Sequence, residues 1–172
     1  MNLLNRTQND TLYFKSVFDG GQLSKEAFNV DFYYTINPEG KSVFAFQEST
    51  FNIKDNIWKI HPDTKFTDKI VFDLNANEFD FSEFQIISGE QKVNFTGSLK
   101  GTSEKALKAD FTNVKLESFL PEIDSLALKG VFSGNLDFIQ KEGVYSPEAS
   151  VLIQDFEINN FVQGDLALRS KT

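Results

Sequence analysis

Apolar and polar residues alternate along most of this chain, and that period of two is the tightest constraint on its fold. In Ala27–Ile36, the side chains of Phe28, Val30, Phe32, Tyr34 and Ile36 share one parity, with Asn29, Asp31 and Thr35 on the other. Leu126, Leu128, Gly130, Phe132, Gly134, Leu136 and Phe138 form a longer series, interleaved with Ala127, Lys129, Val131, Ser133, Asn135 and Asp137. Such runs describe strands with one face on apolar material and the other in water. Shorter runs predict strands at Leu12–Phe18, Ser42–Gln47, Thr50–Lys54, Ile57–His61, Lys69–Leu74, Glu78–Phe81 and Gln85–Ser88. Others follow at Lys92–Leu99, Leu107–Asn113, Ser150–Asp155 and Asp165–Ser170. The total is about a dozen strands.

The segments between these runs carry turn chemistry. Asp19-Gly20-Gly21, Asn37-Pro38-Glu39-Gly40, His61-Pro62-Asp63, Ser88-Gly89-Glu90 and Lys141-Glu142-Gly143 are the main examples. Links this short join antiparallel neighbours, because parallel crossovers need a dozen or more residues. Helical patterns occur only at Gln22–Ala27 and at Val114–Ile123, which Pro121 interrupts. The expectation is an all-β chain, a meandering antiparallel sheet with few or no helices.

Composition narrows the function. The chain has 172 residues, no Cys, one His and a net charge of −8. A disulfide framework and a thiolate metal site are therefore excluded, and an acidic surface is a poor match for nucleic acid. The acids Asp19, Asp73, Asp80 and Asp155 suggest a carboxylate pair of the glycosidase kind, but the 25 Asp and Glu residues mostly occupy polar strand positions and turns, which reads as a solvated face. His61 stands in a turn. No P-loop, G-x-S-x-G, G-x-G-x-x-G or H-E-x-x-H pattern occurs. The expectation is that this is not an enzyme and that it uses no cofactor or metal. No apolar run approaches the length of a membrane-spanning helix, and Met1–Asp10 lacks the apolar stretch of a signal peptide.

Phe, by contrast, occurs 19 times. Rings concentrated on one parity must be covered, since each fully buried ring contributes about 1.5–3 kcal/mol. A second sheet, closure into a barrel, or a trough that holds apolar ligands would each do so. Gly97, Gly130 and Gly164 recur at intervals of 33 and 34 residues, each followed two positions later by an apolar residue (Leu99, Phe132, Leu166). That spacing reads as stacked β units within one segment, residues 1–172, and glycine inside a strand marks a bend, a bulge or a close approach.

Several stretches resemble a known family. They are Ser49–Pro62 (STFNIKDNIWKIHP), Thr67–Leu74 (TDKIVFDL), Phe84–Gly101 (FQIISGEQKVNFTGSLKG), Leu126–Phe138 (LALKGVFSGNLDF) and Ser150–Leu168 (SVLIQDFEINNFVQGDLAL). Units such as Trp58-x-Ile60 and Gln91-x-Val93-x-Phe95-x-Gly97 look like the repeats of TamB-type translocation and assembly modules of the AsmA-like superfamily, in the style of Bacteroidota members. The resemblance implies a curled sheet, or β-taco, with a hydrophobic inner groove. It implies a periplasmic segment of a longer protein anchored in the inner membrane. It also implies roles in phospholipid transport between inner and outer membranes, in outer-membrane protein assembly and in protein secretion. An outer-membrane Omp85-type barrel would be the partner, through regions outside this chain. The residues expected to line the groove are Phe28, Phe32, Phe44, Phe46, Trp58, Ile60, Phe72, Phe79, Phe81, Phe95, Leu99, Leu128, Phe132, Leu136 and Ile153. The alternative is a secreted β-sandwich that binds glycan or adhesin-like partners, with the same rings serving as its core.

Overall fold

A computed structural model describes residues 2–19, 27–53, 56–60, 67–120 and 126–170. Thirteen strands form one antiparallel sheet. They are β1 (Asn2–Gln8), β2 (Thr11–Asp19), β3 (Ala27–Ile36), β4 (Ser42–Phe46), β5 (Ser49–Ile53), β6 (Asn56–Ile60) and β7 (Lys69–Asp73). The series continues with β8 (Glu78–Ser88), β9 (Gln91–Lys100), β10 (Glu104–Lys115), β11 (Leu128–Lys141), β12 (Val144–Ile158) and β13 (Phe161–Ser170). A single helical turn, α1 (Leu116–Phe119), follows β10.

The chain walks across the sheet as a meander with one fork. One half of β3 pairs with β4 and the other with β5; β8 is shared in the same way by β7 and β6. Thus β4 and β5 are two halves of one strand position, and β6 and β7 are halves of the next. Two polar residues with no solvent exposure, Ser49 and Asp68, hold the fork together. Ser49 Oγ accepts from the Asp31 N–H at 2.9 Å, and its own proton is within reach of the Asp31 and Gln47 carbonyls at 3.1 and 2.9 Å. Asp68 Oδ1 accepts from the Gln85 N–H at 2.8 Å, and its carbonyl accepts from the Phe46 N–H at 3.0 Å. These bonds satisfy backbone groups that the interrupted ladder leaves without strand partners.

Asp68→Ala is therefore expected to lower the unfolding free energy by about 1–3 kcal/mol, because the Gln85 N–H stays buried without its acceptor. Asp68→Asn keeps an oxygen in place and tolerates the positive φ of 40° at this position. Urea unfolding should rank wild type and Asn close together, well above Ala. Equal midpoints for all three would remove Asp68 from this role.

Register shifts between Phe81 and Phe84, Phe111 and Val114, and Ile153 and Phe156 mark bulges in β8, β10 and β12, the last also shifting β12 against Lys129 and Val131 of β11. Each bulge bends its strand and increases the local twist. Side chains on the neighbouring strands satisfy the displaced groups. Ser133 Oγ accepts from the Asn113 N–H at 2.9 Å, Asp165 Oδ1 accepts from the Asp155 N–H at 3.1 Å, and the Thr96 hydroxyl donates to the Phe81 carbonyl at 3.2 Å.

The sheet agrees with the alternation, and it corrects several details. The runs at Glu78–Phe81 and Gln85–Ser88 are one strand, β8, whose bulge residues Ser82 and Glu83 break the pattern. Strand β1 was not expected from its polar sequence; Asn9 and Asp10, with φ of 49° and 56°, make the two-residue turn that folds it onto β2. Of the helix expected at Val114–Ile123, only Leu116–Phe119 forms, without a side-chain cap, while Val114 and Lys115 complete β10. A segment this short has no stability of its own. Residues 121–123 of that expectation, most of Gln22–Ala27, and the turns at Gly20-Gly21 and at His61 lie outside the described residues; Ala27 opens β3.

The recurring glycines fall on alternate strands β9, β11 and β13, so one interval spans one hairpin. Gly130 and Gly164 both flank Phe156 at the bulges, and a Cβ on Gly130 would lie 2.8 Å from Ile153 Cγ2. Gly97 sits at another height, level with Leu107 and Phe138.

Candidate functional site: the ring-bearing face

Directly paired residues in adjacent antiparallel strands point to the same face. Following the pairs from strand to strand places every residue expected in the groove on one face of the sheet. One row runs Leu12, Tyr34, Phe44, Ile70, Phe81, Gly97, Leu107, Phe138 and Pro147. Another runs Ser49, Ile60, Ile86, Val93, Phe111, Gly134, Val151 and Leu168. Phe28 and Phe32 lie on this face in β3, Phe46 in β4, Phe72 in β7, Phe79 in β8, and Phe95 and Leu99 in β9. Trp58 lies there in β6, Leu128, Phe132 and Leu136 in β11, and Ile153 in β12.

Rings touch across these rows. Phe14 stacks on Phe32 with centroids 4.8 Å apart, Phe72 stacks on Phe79 at 5.8 Å, and Phe111 meets Phe132 edge to face at 4.8 Å. Phe46 reaches Phe84 at 5.9 Å although a strand position lies between them. At that height the intervening position is occupied by Asp68 in the fork, which links to both neighbouring strands through its backbone.

Burial divides the face in two. Towards the end that carries α1, Trp58 is 2% exposed, and Ile60, Val93, Val114, Val151 and Ile153 are also buried. Trp58, Val93 and Val114 form a core, with Phe51, Ile53, Ile86, Phe111 and Phe132 packed against it. A large side chain on a flat single sheet keeps its outer end in water. The complete burial of Trp58 means that packed neighbours, Phe51, Ile86 and Phe132 among them, cover this end of the face. Towards the other end, Phe32, Phe44, Phe72, Phe79, Phe81, Phe95 and Leu99 are only half-buried, and Leu136 is 42% exposed. These half-open rows run side by side from β2 to β12, so the trough crosses the strands. The eight steps of about 4.8 Å between them give it a length of about 38 Å.

Sequence reasoning missed Phe84 and Val114, which belong to this face. Each follows a bulge that switches the parity, and the polar pairs Ser82-Glu83 and Thr112-Asn113 are the only local sign of it. Phe14, Phe18, Phe51, Ile70, Leu107, Phe111 and Phe138 share the face too, and alternation alone could have found them.

The opposite face is mostly polar, with ion pairs Lys15–Asp31 at 3.1 Å and Lys108–Asp110 at 3.5 Å, but it also carries the buried Val43 and Ala45 beside Tyr33 and Val71. A depression of about 610 Å³ opens there, lined by Asp80, Thr96, Lys108 and Asp137 together with the apolar Ala106 and Ile139. The acids Asp19, Asp73, Asp80 and Asp155 are dispersed. Asp19 ends β2, Asp155 lies in the β12 bulge, and Asp73 accepts from the Asn75 and Ala76 N–H groups in a turn. Among the described residues, no group of three His, Asp or Glu side chains is placed to hold a metal ion. Compared with known proteins, the chain matches no family model, no curated protein and no solved structure.

Proposed function

We propose that the chain is a lipid-holding segment of an envelope-biogenesis protein of TamB or AsmA-like type. On this reading it works in the periplasm, and the half-open rows shelter acyl chains during phospholipid transport between inner and outer membranes. The observation that carries the reading is the uncovered half of the ring-bearing face on a single curled sheet. Each buried CH₂ contributes about 0.8 kcal/mol, so an acyl chain laid along Phe44, Phe81 and Phe95 gains several kcal/mol. Apolar side chains recur along the rows, which favours movement over trapping in one deep well. The glycan- or adhesin-binding alternative assumed a sandwich, and its rings would then be covered by a second sheet.

A second role, in outer-membrane protein assembly and secretion, is favoured by the sheet edge. Among the described residues β13 pairs only with β12, and Phe161 and Val162 at its start are each 73% exposed. An edge strand offers unpaired N–H and C=O groups to an incoming client strand. An Omp85-type barrel partner would act through other parts of the parent protein.

The test is lipid capture. The purified chain, examined by native mass spectrometry and by solvent extraction, should carry acyl lipids or take them up from detergent micelles. A chain that neither retains nor acquires lipid would not be a lipid carrier.

A further inference from the structure

The rim of the half-open trough carries a residue that does not fit an apolar face. Apart from Asp68, which is wholly buried in the fork, Lys105 is the only charged side chain that the strand pairings place on this face among the described residues. It is half-buried, between Leu99 on β9 and Gln140 on β11. Among the described residues it makes no ion pair, in contrast to Lys15, Lys41, Lys108 and Lys129 on the polar face.

Gln140, directly opposite, is 5% exposed, and its buried Oε1 accepts no hydrogen bond. Buried amide oxygens are almost always paired, so this one stands ready for a donor. Tyr145 pairs with Gln140 on the far side, half-exposed, its ring 5.5 Å from that of Phe138. Cross-strand partners hold their Cβ atoms about 5 Å apart, close enough for one small polar group to reach both Lys105 and Gln140. Immediately inward of this pair the face is apolar again, with Leu107 and Phe138. A cation and an unfilled acceptor at the lip, with grease beneath, describe the outline of an amphiphile.

We propose that Lys105 and Gln140 form a headgroup station for an anionic phospholipid. The phosphate takes the Lys105 ammonium, a headgroup hydroxyl donates to Gln140 Oε1, and the acyl chains lie over Leu107 and Phe138. Phosphatidylglycerol offers both groups; phosphatidylcholine has the phosphate but no donor, and its quaternary amine cancels the charge. This inference rests on the lipid-carrier reading and adds to it a choice of lipid.

The experiment loads the whole chain from micelles holding equal amounts of phosphatidylglycerol and phosphatidylcholine with identical acyl chains, then measures the bound ratio by mass spectrometry. Wild type should favour phosphatidylglycerol by about fivefold, the equivalent of one charge-assisted contact at a partly solvated site. Lys105→Met should bring the ratio to about one with total bound lipid unchanged, and Gln140→Met should lower it part of the way. Lys108→Met, on the opposite face, should leave it at the wild-type value. Circular dichroism checks that each variant is folded, and Lys105→Gln replaces Lys105→Met should the latter not fold. Lipid bound without preference, or a preference that survives Lys105→Met, overturns the station and leaves the carrier reading standing. No bound lipid at all overturns the carrier reading itself.

Discussion

Trp58→Ala is expected to lower the unfolding free energy by about 3–5 kcal/mol, the range for removing a large aromatic side chain from a packed core. Trp58 is the centre of the closed half of the ring-bearing face, 2% exposed and grouped with Val93 and Val114. Its removal leaves Phe51, Ile86 and Phe132 around a void that a curled single sheet can only partly collapse. Domains of this size have about 5–15 kcal/mol in total, so the variant should unfold at a much lower urea concentration or fail to accumulate. A midpoint within experimental error of wild type would mean that the buried cluster does not hold the curl. The contrast with an exposed apolar position is informative. Ile57, next in sequence, points to the other face and is largely exposed, so Ile57→Ala should change stability by no more than about 0.5 kcal/mol.

The second large effect is on binding. Phe44→Asp combined with Phe81→Asp should reduce acyl-lipid capture by roughly 100-fold or more, since an unpaired carboxylate against hydrocarbon costs several kcal/mol. Both residues are half-buried in one row, joined through Ile70. With the trough empty, their carboxylates can reach water, so the sheet should still form and far-UV circular dichroism should match wild type. Phe132→Asp differs. Its ring packs on Phe111 at 4.8 Å beside the buried core, and that variant should lose the fold together with the lipid. The pair of outcomes separates a surface that receives guests from one that is ordinary interior. Undiminished lipid capture by the folded double variant would place the acyl chains elsewhere.

These two experiments probe opposite ends of the ring-bearing face, and the division between those ends is not visible from alternation. Phe95 and Ile153 have the same parity signal, yet one is half-open and the other buried. What separates them is position along the strand relative to the curl, to which bulges in β8, β10 and β12 contribute. A bulge needs only one extra residue, and polar pairs such as Ser82-Glu83 do not distinguish it from a turn. Reading β8 as two strands was the direct result.

Local chemistry determined which residues share a face and where most hairpins turn. Side-chain direction in a strand has a period of two, and residues such as Asn37 and Gly143 shape the backbone within a few positions of themselves. The pairing of Lys105 with Gln140, the fork closed by Ser49 and Asp68, and the burial of Trp58 were decided by tertiary structure alone. Each depends on register between strands far apart in the chain, and register is a collective outcome of every pair in the ladder rather than a property of any one segment.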